Sequence, residues 1–215
     1  NIDQMVMLKF ELKDSPGEFL LCATFRPETI YGVTNVWVNP AVKYSLIEVD
    51  GKKYWVSSEV AKTLPLQLPQ LKVISEKDGS EFEGKVALNP INGAAIPIFP
   101  ASFVAPEVGS GVVMSVPAHA PYDYLALRDL KGTKWEPMIP EPIQVLTLDG
   151  YGPAPAKEIV ERMGVKDQND KKAEAATEEL YSKEAHTGKM AVGDYKGMAG
   201  MQAKEKTREG MVAEG

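Results

Sequence analysis

As far as about residue 150 the chain runs in short β-type segments closed by Gly, Pro or Asn, and after Gly152 it turns helical. This change of period constrains the fold more than any other feature. Apolar runs over residues 5–12 and 18–25 flank Lys13-Asp14-Ser15-Pro16-Gly17, whose Pro and Gly suit the turn of an antiparallel hairpin. Residues 36–38, 45–49, 53–56, 72–75, 95–99, 111–116 and 143–148 read as further short strands, rich in β-branched or aromatic side chains. A short helix over 57–63 interrupts them. So many strands with so little helix predict an α+β fold around a curved, mixed, barrel-like β core.

Beyond Gly152 the pattern predicts peripheral helices. Residues 155–163 open on Pro155 and stop at Gly164, the two residues suited to the start and end of a helix. Residues 169–185 are a run of Ala, Glu and Lys whose few apolar positions imply a mostly solvated helix, so 153–187 reads as a mostly helical surface insertion. Residues 188–192 then suggest a return strand, and 201–212 a last helix with its apolar face on the core.

A chain of 215 residues with 44% hydrophobic content can bury one sizeable core, and a single domain over 1–215 is expected. The net charge is −6 and no basic run exceeds Lys171-Lys172, which argues against a broad phosphate-binding face. The single cysteine, Cys22, lies in the apolar run 19–23 and reads as a small buried hydrophobe. Neither a spanning helix nor a signal peptide is expected, which makes a cytoplasmic location the default. The first residue is Asn rather than Met, so the chain reads as an excised piece of a longer polypeptide.

Two segments hold the chemistry. Ala23 to Gly32 and Gly109 to Tyr124 each read as a buried strand running into a sharp turn that opens a short helix, which delivers polar groups and backbone N–H donors to one place. In the first, Pro27 ends the strand, Thr24 and Thr29 offer hydroxyls and methyls, and Arg26 offers a guanidinium for a phosphate or carboxylate. A purely structural turn, with Glu28 answering the helix start, is the alternative. In the second, Asp123 is either a first-turn carboxylate that stabilises the helix dipole or an anchor for a substrate ammonium. His119 alone is more often a hydrogen-bonded structural histidine than a base. Only His186 and Cys22 could join it around a metal, so no metal or cofactor is expected. Ser115 is outside any G-x-S-x-G elbow, and Gly109-Ser110-Gly111 matches neither a P-loop nor a dinucleotide fingerprint.

The chain resembles the connective-peptide editing domain of leucyl-tRNA synthetases of the archaeal and eukaryotic type over essentially its whole length. The segment Thr24-x-Arg26-Pro27-Glu28-Thr29, with position 25 open, is shared with valyl enzymes. Thr34-Asn35-Val36-Trp37-Val38-Asn39-Pro40 with Lys43-Tyr44, Val116 to Asp123, and the excursion ending at His186-Thr187-Gly188 look leucyl. The resemblance implies a metal-independent hydrolase that removes isoleucine, methionine or norvaline from the 3′ terminal adenosine of mischarged leucine tRNA. It implies Asp123, Thr24 and Arg26 as catalytic, with Asp123 anchoring the ammonium group. Thr29, Phe25, Ser115, Val116, His119 and Tyr122 are implied as substrate-binding, with Thr29 as the gate against leucine. Position 25 is Phe where many relatives carry a second Thr, and position 120 is Ala where bacterial forms carry Asp. The implied partners are the 3′ end of aminoacylated tRNA and the rest of the parent synthetase, with the isolated chain a monomer. A valyl editing domain, and a docking module that uses 155–185 without chemistry, are the alternatives. Changes in the excursion are expected to spare hydrolysis.

Overall fold

The computed structural model describes residues 4–214, and side chains as far as Met211. It divides into two compact units, one of Asn1–Phe25 with Asn35–Met114, the other of Arg26–Thr34 with Ser115–Gly215. The first and last residues of the expected 1–215 span lie outside the described residues.

In the first unit, β1 (Val6–Leu12) and β2 (Glu18–Thr24) form the expected hairpin, Val6 opposite Thr24, with Gly17 at φ 84° in its turn. There follow β3 (Asn35–Val38), β4 (Lys43–Val49), β5 (Lys52–Ser57), helix α1 (Ser58–Thr63), β6 (Lys72–Asp78), β7 (Val86–Leu88), β8 (Ala95–Pro100) and β9 (Val113–Ser115). The strands lie in the order β6-β4-β5-β2-β1-β7-β8-β3-β9, and the last residue of β9 opens the second unit. The β2/β5 and β3/β8 pairs are parallel and the β1/β2, β1/β7, β4/β5, β4/β6 and β7/β8 pairs antiparallel, so the sheet is mixed as expected. Barrel-like closure is not found. No pairing among the described residues joins the end strands β6 and β9, and residues 72–76 of β6 are exposed on both faces, with nothing for a closing strand to bury against.

Alternate side chains close the interior of this unit: Leu8, Phe10 and Leu12 from β1, Leu20 and Cys22 from β2. Phe82 meets Trp55 edge-on at 5.1 Å and Tyr44 at 5.8 Å between ring centroids. The Tyr44 hydroxyl donates to the Gly111 carbonyl at 2.7 Å, and burial pushes its pKa up to about 12. Burial likewise pushes up the Cys22 thiol, as fits a small core hydrophobe. Helix α1 is capped by Ser57, whose hydroxyl accepts from the Val60 N–H.

The second unit begins with a 3-10 turn over Pro27–Gly32, where the sequence suggests an α-helical start. It continues through α2 (Pro121–Asp129), β10 (Leu146–Thr147), α3 (Pro155–Met163), α4 (Lys172–Thr187), β11 (Lys189–Met190) and α5 (Gly200–Glu214). Helix α3 stops on Gly164 in the left-handed region, as its sequence predicts. The return strand is the short β11, paired antiparallel to β10 with Met190 opposite Leu146. Leu125, Ile159, Val160, Ala173, Ala176 and Leu180 pack α2, α3 and α4 into one apolar core. Helix α4 is solvated over most of its surface but buries Ala173, Ala176, Leu180 and Glu184 along one stripe, so the insertion is part of this core as well as part of the surface. Helix α5 buries Ala203 and Thr207, while Met201, expected on its inner face, is 48% exposed. The Val212 side chain lies outside the described residues. No helix among the described residues is long and apolar enough to cross a membrane.

Candidate functional site

Pro27 removes one N–H and fixes the backbone for a turn, so the chain leaves β2 and enters the 3-10 segment at Arg26. Thr29 closes that turn twice: its N–H donates to the Arg26 carbonyl at 3.0 Å and its hydroxyl to the same oxygen at 2.7 Å. Gly32 ends it. A Cβ there would stand 2.3 Å from Val145 Cγ2, so only glycine lets the turn lie against residues 143–145.

Hydrogen bonds fix the second segment at Val116, Ala118, His119 and Asp123. The Val116 N–H donates to Asp123 Oδ2 at 2.8 Å, and the His119 N–H donates to the Val116 carbonyl at 3.1 Å. The Ala118 carbonyl accepts from the Ala156 N–H at the start of α3. Asp123 itself is 4% exposed in the first turn of α2, where the helix dipole favours its charge.

His119 is wholly buried and both its nitrogens are engaged. Nε2 lies 2.8 Å from the Val145 N–H and 3.1 Å from the Leu146 N–H, so it accepts and carries no proton. Nδ1 lies 3.0 Å from Glu184 Oε1 and donates to it. The network therefore assigns the neutral Nδ1–H tautomer. The expected strand 143–148 contracts to β10, with the Val145 N–H just before it serving His119.

Arg26 completes the arrangement. Its Nη1 donates to the His119 carbonyl at 3.1 Å, its Nη2 to Glu184 Oε2 at 2.5 Å, and its guanidinium lies 4.2 Å over the Tyr181 ring. Burial opposes the charge on Arg26, but Glu184, Tyr181 and Glu28 outweigh it and hold the pKa up. Burial also pushes Glu184 up, and the Arg26 charge with the His119 bond overcomes this and holds it below the usual carboxylate range. Glu28 goes the other way. Its Oε1 is 3.7 Å from Arg26 Nε, its Oε2 is buried without a hydrogen bond, and burial dominates and raises its pKa. Burial, and next the Arg26 and Asp123 charges in opposite senses, leave Tyr181 at about 12.

Of the residues singled out from sequence, Arg26 meets His119 directly, Val116 meets Asp123, and Thr29 meets Arg26. Tyr122 turns to α4, its hydroxyl donating to Glu174 Oε2 at 2.8 Å, and burial followed by that carboxylate pushes its pKa to about 12. Ser115 is wholly buried and its hydroxyl has no hydrogen-bond partner. Thr24 ends β2 and Phe25, 49% exposed, follows it, so both belong to the first unit and precede Arg26 in the chain. Sequence reasoning missed Glu184 and Tyr181. The signal available for Glu184 was its place on the 173, 176, 180, 184 stripe, where a charged residue occupies a core position. Among the described residues no group of three or more His, Cys, Asp or Glu could hold a metal ion.

Comparison with known proteins bears on this arrangement. Residues 3–140 match the family model described as the editing domain of leucyl-tRNA synthetase. The leucine–tRNA ligase of Pyrobaculum aerophilum is 45% identical over 207 residues, covering 96% of this chain, and that of Methanopyrus kandleri 38% identical over 224 residues, covering all of it. The chain spans 21% and 24% of the length of these two relatives. The solved structure described as GlLeuRS-CP1 superposes with a TM-score of 0.85 at 25% identity, covering 98% of this chain and 96% of the other. The editing domain of the Plasmodium falciparum cytosolic leucyl-tRNA synthetase shares the fold, with a TM-score of 0.84 at 22% identity, 94% of this chain and 78% of that one. The family match covers both signature segments and the relatives extend it through α4, so the chain belongs to the leucyl-tRNA synthetase editing domains.

Proposed function

We propose that this chain proofreads by hydrolysis, removing isoleucine, methionine or norvaline from the 3′ terminal adenosine of mischarged leucine tRNA. The observation that carries the reading is Asp123, a buried carboxylate whose one oxygen is tied to the Val116 N–H inside a segment matched by the editing-domain family. A carboxylate so oriented binds the α-ammonium group of the charged amino acid and sets the ester carbonyl in place. The ester is already activated, so the remaining needs are one positioned water and donors for the developing oxyanion. The first turn of α2 and the Pro27–Gly32 turn supply positive backbone ends for that purpose.

In this reading Arg26 belongs to the adenosine end and Thr29, Ser115, Val116, His119 and Tyr122 to the substrate side, while the roles of Thr24 and Phe25 rest on the family resemblance alone. Arg26 and His119 act there by holding shape, since their polar atoms are engaged with each other and with Glu184. A second site adds selectivity because aliphatic side chains differ by little in binding energy, a need illustrated by tRNA synthetases generally. The whole of 1–215 functions as one monomeric domain of a cytoplasmic synthetase, whose remainder supplies most of the tRNA affinity, given a net charge of −6 here. Deacylation of isoleucyl and leucyl forms of leucine tRNA by the parent enzyme, with and without this domain, tests the reading. Rapid loss of isoleucine and slow loss of leucine, both dependent on the domain, is the expected result. Hydrolysis unaffected by removing the domain would reject it.

A further inference from the structure

We infer that Glu184, on the last turn of α4, is a positioning residue for hydrolysis, holding the two signature segments in register through a closed ring of three hydrogen bonds. This rests on the editing function proposed above. One carboxylate, 1% exposed, accepts from His119 Nδ1 with Oε1 at 3.0 Å and from Arg26 Nη2 with Oε2 at 2.5 Å. Arg26 Nη1 closes the ring on the His119 carbonyl at 3.1 Å. Each partner belongs to a different segment: Arg26 opens the Pro27–Gly32 turn, and His119 lies midway between Val116 and Asp123, which bond each other. His119 then extends the hold to Val145 and Leu146 through Nε2.

The chemistry of the ring demands an acid at position 184. Nε2 faces two N–H donors, so the proton of the imidazole must be on Nδ1, and Arg26 is always a donor. Both neighbours therefore present hydrogens, and only a group with two acceptor oxygens satisfies both. Glutamine has the same shape with one acceptor, so its NH₂ meets either the His119 Nδ1–H or the Arg26 guanidinium, donor against donor. Position 184 is fixed from its own backbone as well. The Gly188 N–H donates to the Glu184 carbonyl at 2.9 Å, and a Cβ on Gly188 would stand 2.5 Å from that oxygen. The excursion was expected to be dispensable for hydrolysis; at this one position it is not.

The test compares wild type with Glu184→Gln and Glu184→Asp in the full synthetase, by deacylation of isoleucyl tRNA with kcat and KM resolved, and in the 215-residue chain by ¹⁵N NMR of the imidazole at pH 7. Wild-type His119 should show a protonated Nδ1 and an unprotonated Nε2. Glu184→Gln should unfold cooperatively, lose at least about tenfold in kcat with KM within about twofold, and shift the His119 signals, while Glu184→Asp regains part of the rate. A fold defect alone would scale both variants with their stability and leave kcat of the folded fraction unchanged. Wild-type kcat in folded Glu184→Gln, or a protonated Nε2 in wild-type His119, overturns the inference. If Glu184→Gln fails to fold, the wild-type His119 signals decide, and a protonated Nε2 overturns the inference. A wild-type enzyme that does not deacylate isoleucyl tRNA at all overturns the editing function itself, with the His119 signals still reporting the ring.

Discussion

The two units bury different things. The first closes over aromatic rings and alternating aliphatic side chains, and its buried Tyr44 hydroxyl answers the Gly111 backbone. The second buries Glu28, His119, Asp123 and Glu184 beside the nearly buried Arg26, and ties Glu184 to Arg26 and His119 by bonds between residues far apart in sequence. An apolar interior gains stability from any well-filled volume, whereas a buried ionic cluster gains little net stability and is destabilising when broken. The first unit thus follows from packing, while the second makes sense as a scaffold for fixed charges at a site.

The largest expected effects set these interiors side by side. Phe82→Ala should cost about 3–5 kcal/mol by emptying the contact with Trp55 and Tyr44. Arg26→Met should cost about 3–5 kcal/mol by stranding the Glu184 charge. Urea unfolding at pH 7 and pH 4 tells them apart. The Phe82 loss should be the same at both, and the Arg26 loss smaller at pH 4, where the stranded carboxyl can take up a proton. Equal pH dependence for the two variants would contradict the contrast.

A smaller effect separates the two glutamates beside Arg26. Glu184 has a folded-state pKa below the ordinary 4.5, so its stabilisation is present above that value and is lost as pH falls through the folded pKa. Glu28 is raised above 4.5, so its ionisation costs stability as pH rises past that value. Relative to wild type, Glu184→Gln should therefore be more destabilising at pH 7 than at pH 3, and Glu28→Gln more favourable at pH 7 than at pH 4. The same sign for both would show that Arg26 does not discriminate between them.

These contrasts also explain what could be read in advance. The hairpin of β1 and β2 and the ends of α3 were legible because turn residues and local alternation encode them: Pro16-Gly17 in one case, Pro155 and Gly164 in the other. Strand β7 is only Val86–Leu88, too short to show alternation. The open sheet order was not legible because closure depends on which distant strands pair. Asp123 and Arg26 stood out by their place in the motifs. Their bonds did not, since Arg26 and Glu184 are joined only by tertiary structure, 158 positions apart. The Arg26 guanidinium, read as offered to a ligand, is engaged with Glu184 and His119, a fact that sequence spacing cannot express.

The smallest stability effect belongs to Thr29. Its hydroxyl is spent on the Arg26 carbonyl, so Thr29→Ala should cost about 0.5–1.5 kcal/mol. If its methyl also bars leucine, as the family resemblance implies, the variant should begin to hydrolyse leucyl tRNA. An unchanged ratio of leucyl to isoleucyl deacylation, measured alongside a melting curve, would leave Thr29 with the turn alone.

The central claim is that the polar interior of the second unit serves to present Asp123 to a charged amino acid. It is tested most directly by deacylation of isoleucyl tRNA with Asp123→Ala in the parent synthetase, with thermal unfolding of the same variant as control. A charge-assisted hydrogen bond of about 1.5–3 kcal/mol predicts a loss of at least about tenfold in hydrolysis from a protein that still unfolds cooperatively. Near wild-type hydrolysis by folded Asp123→Ala would contradict the claim.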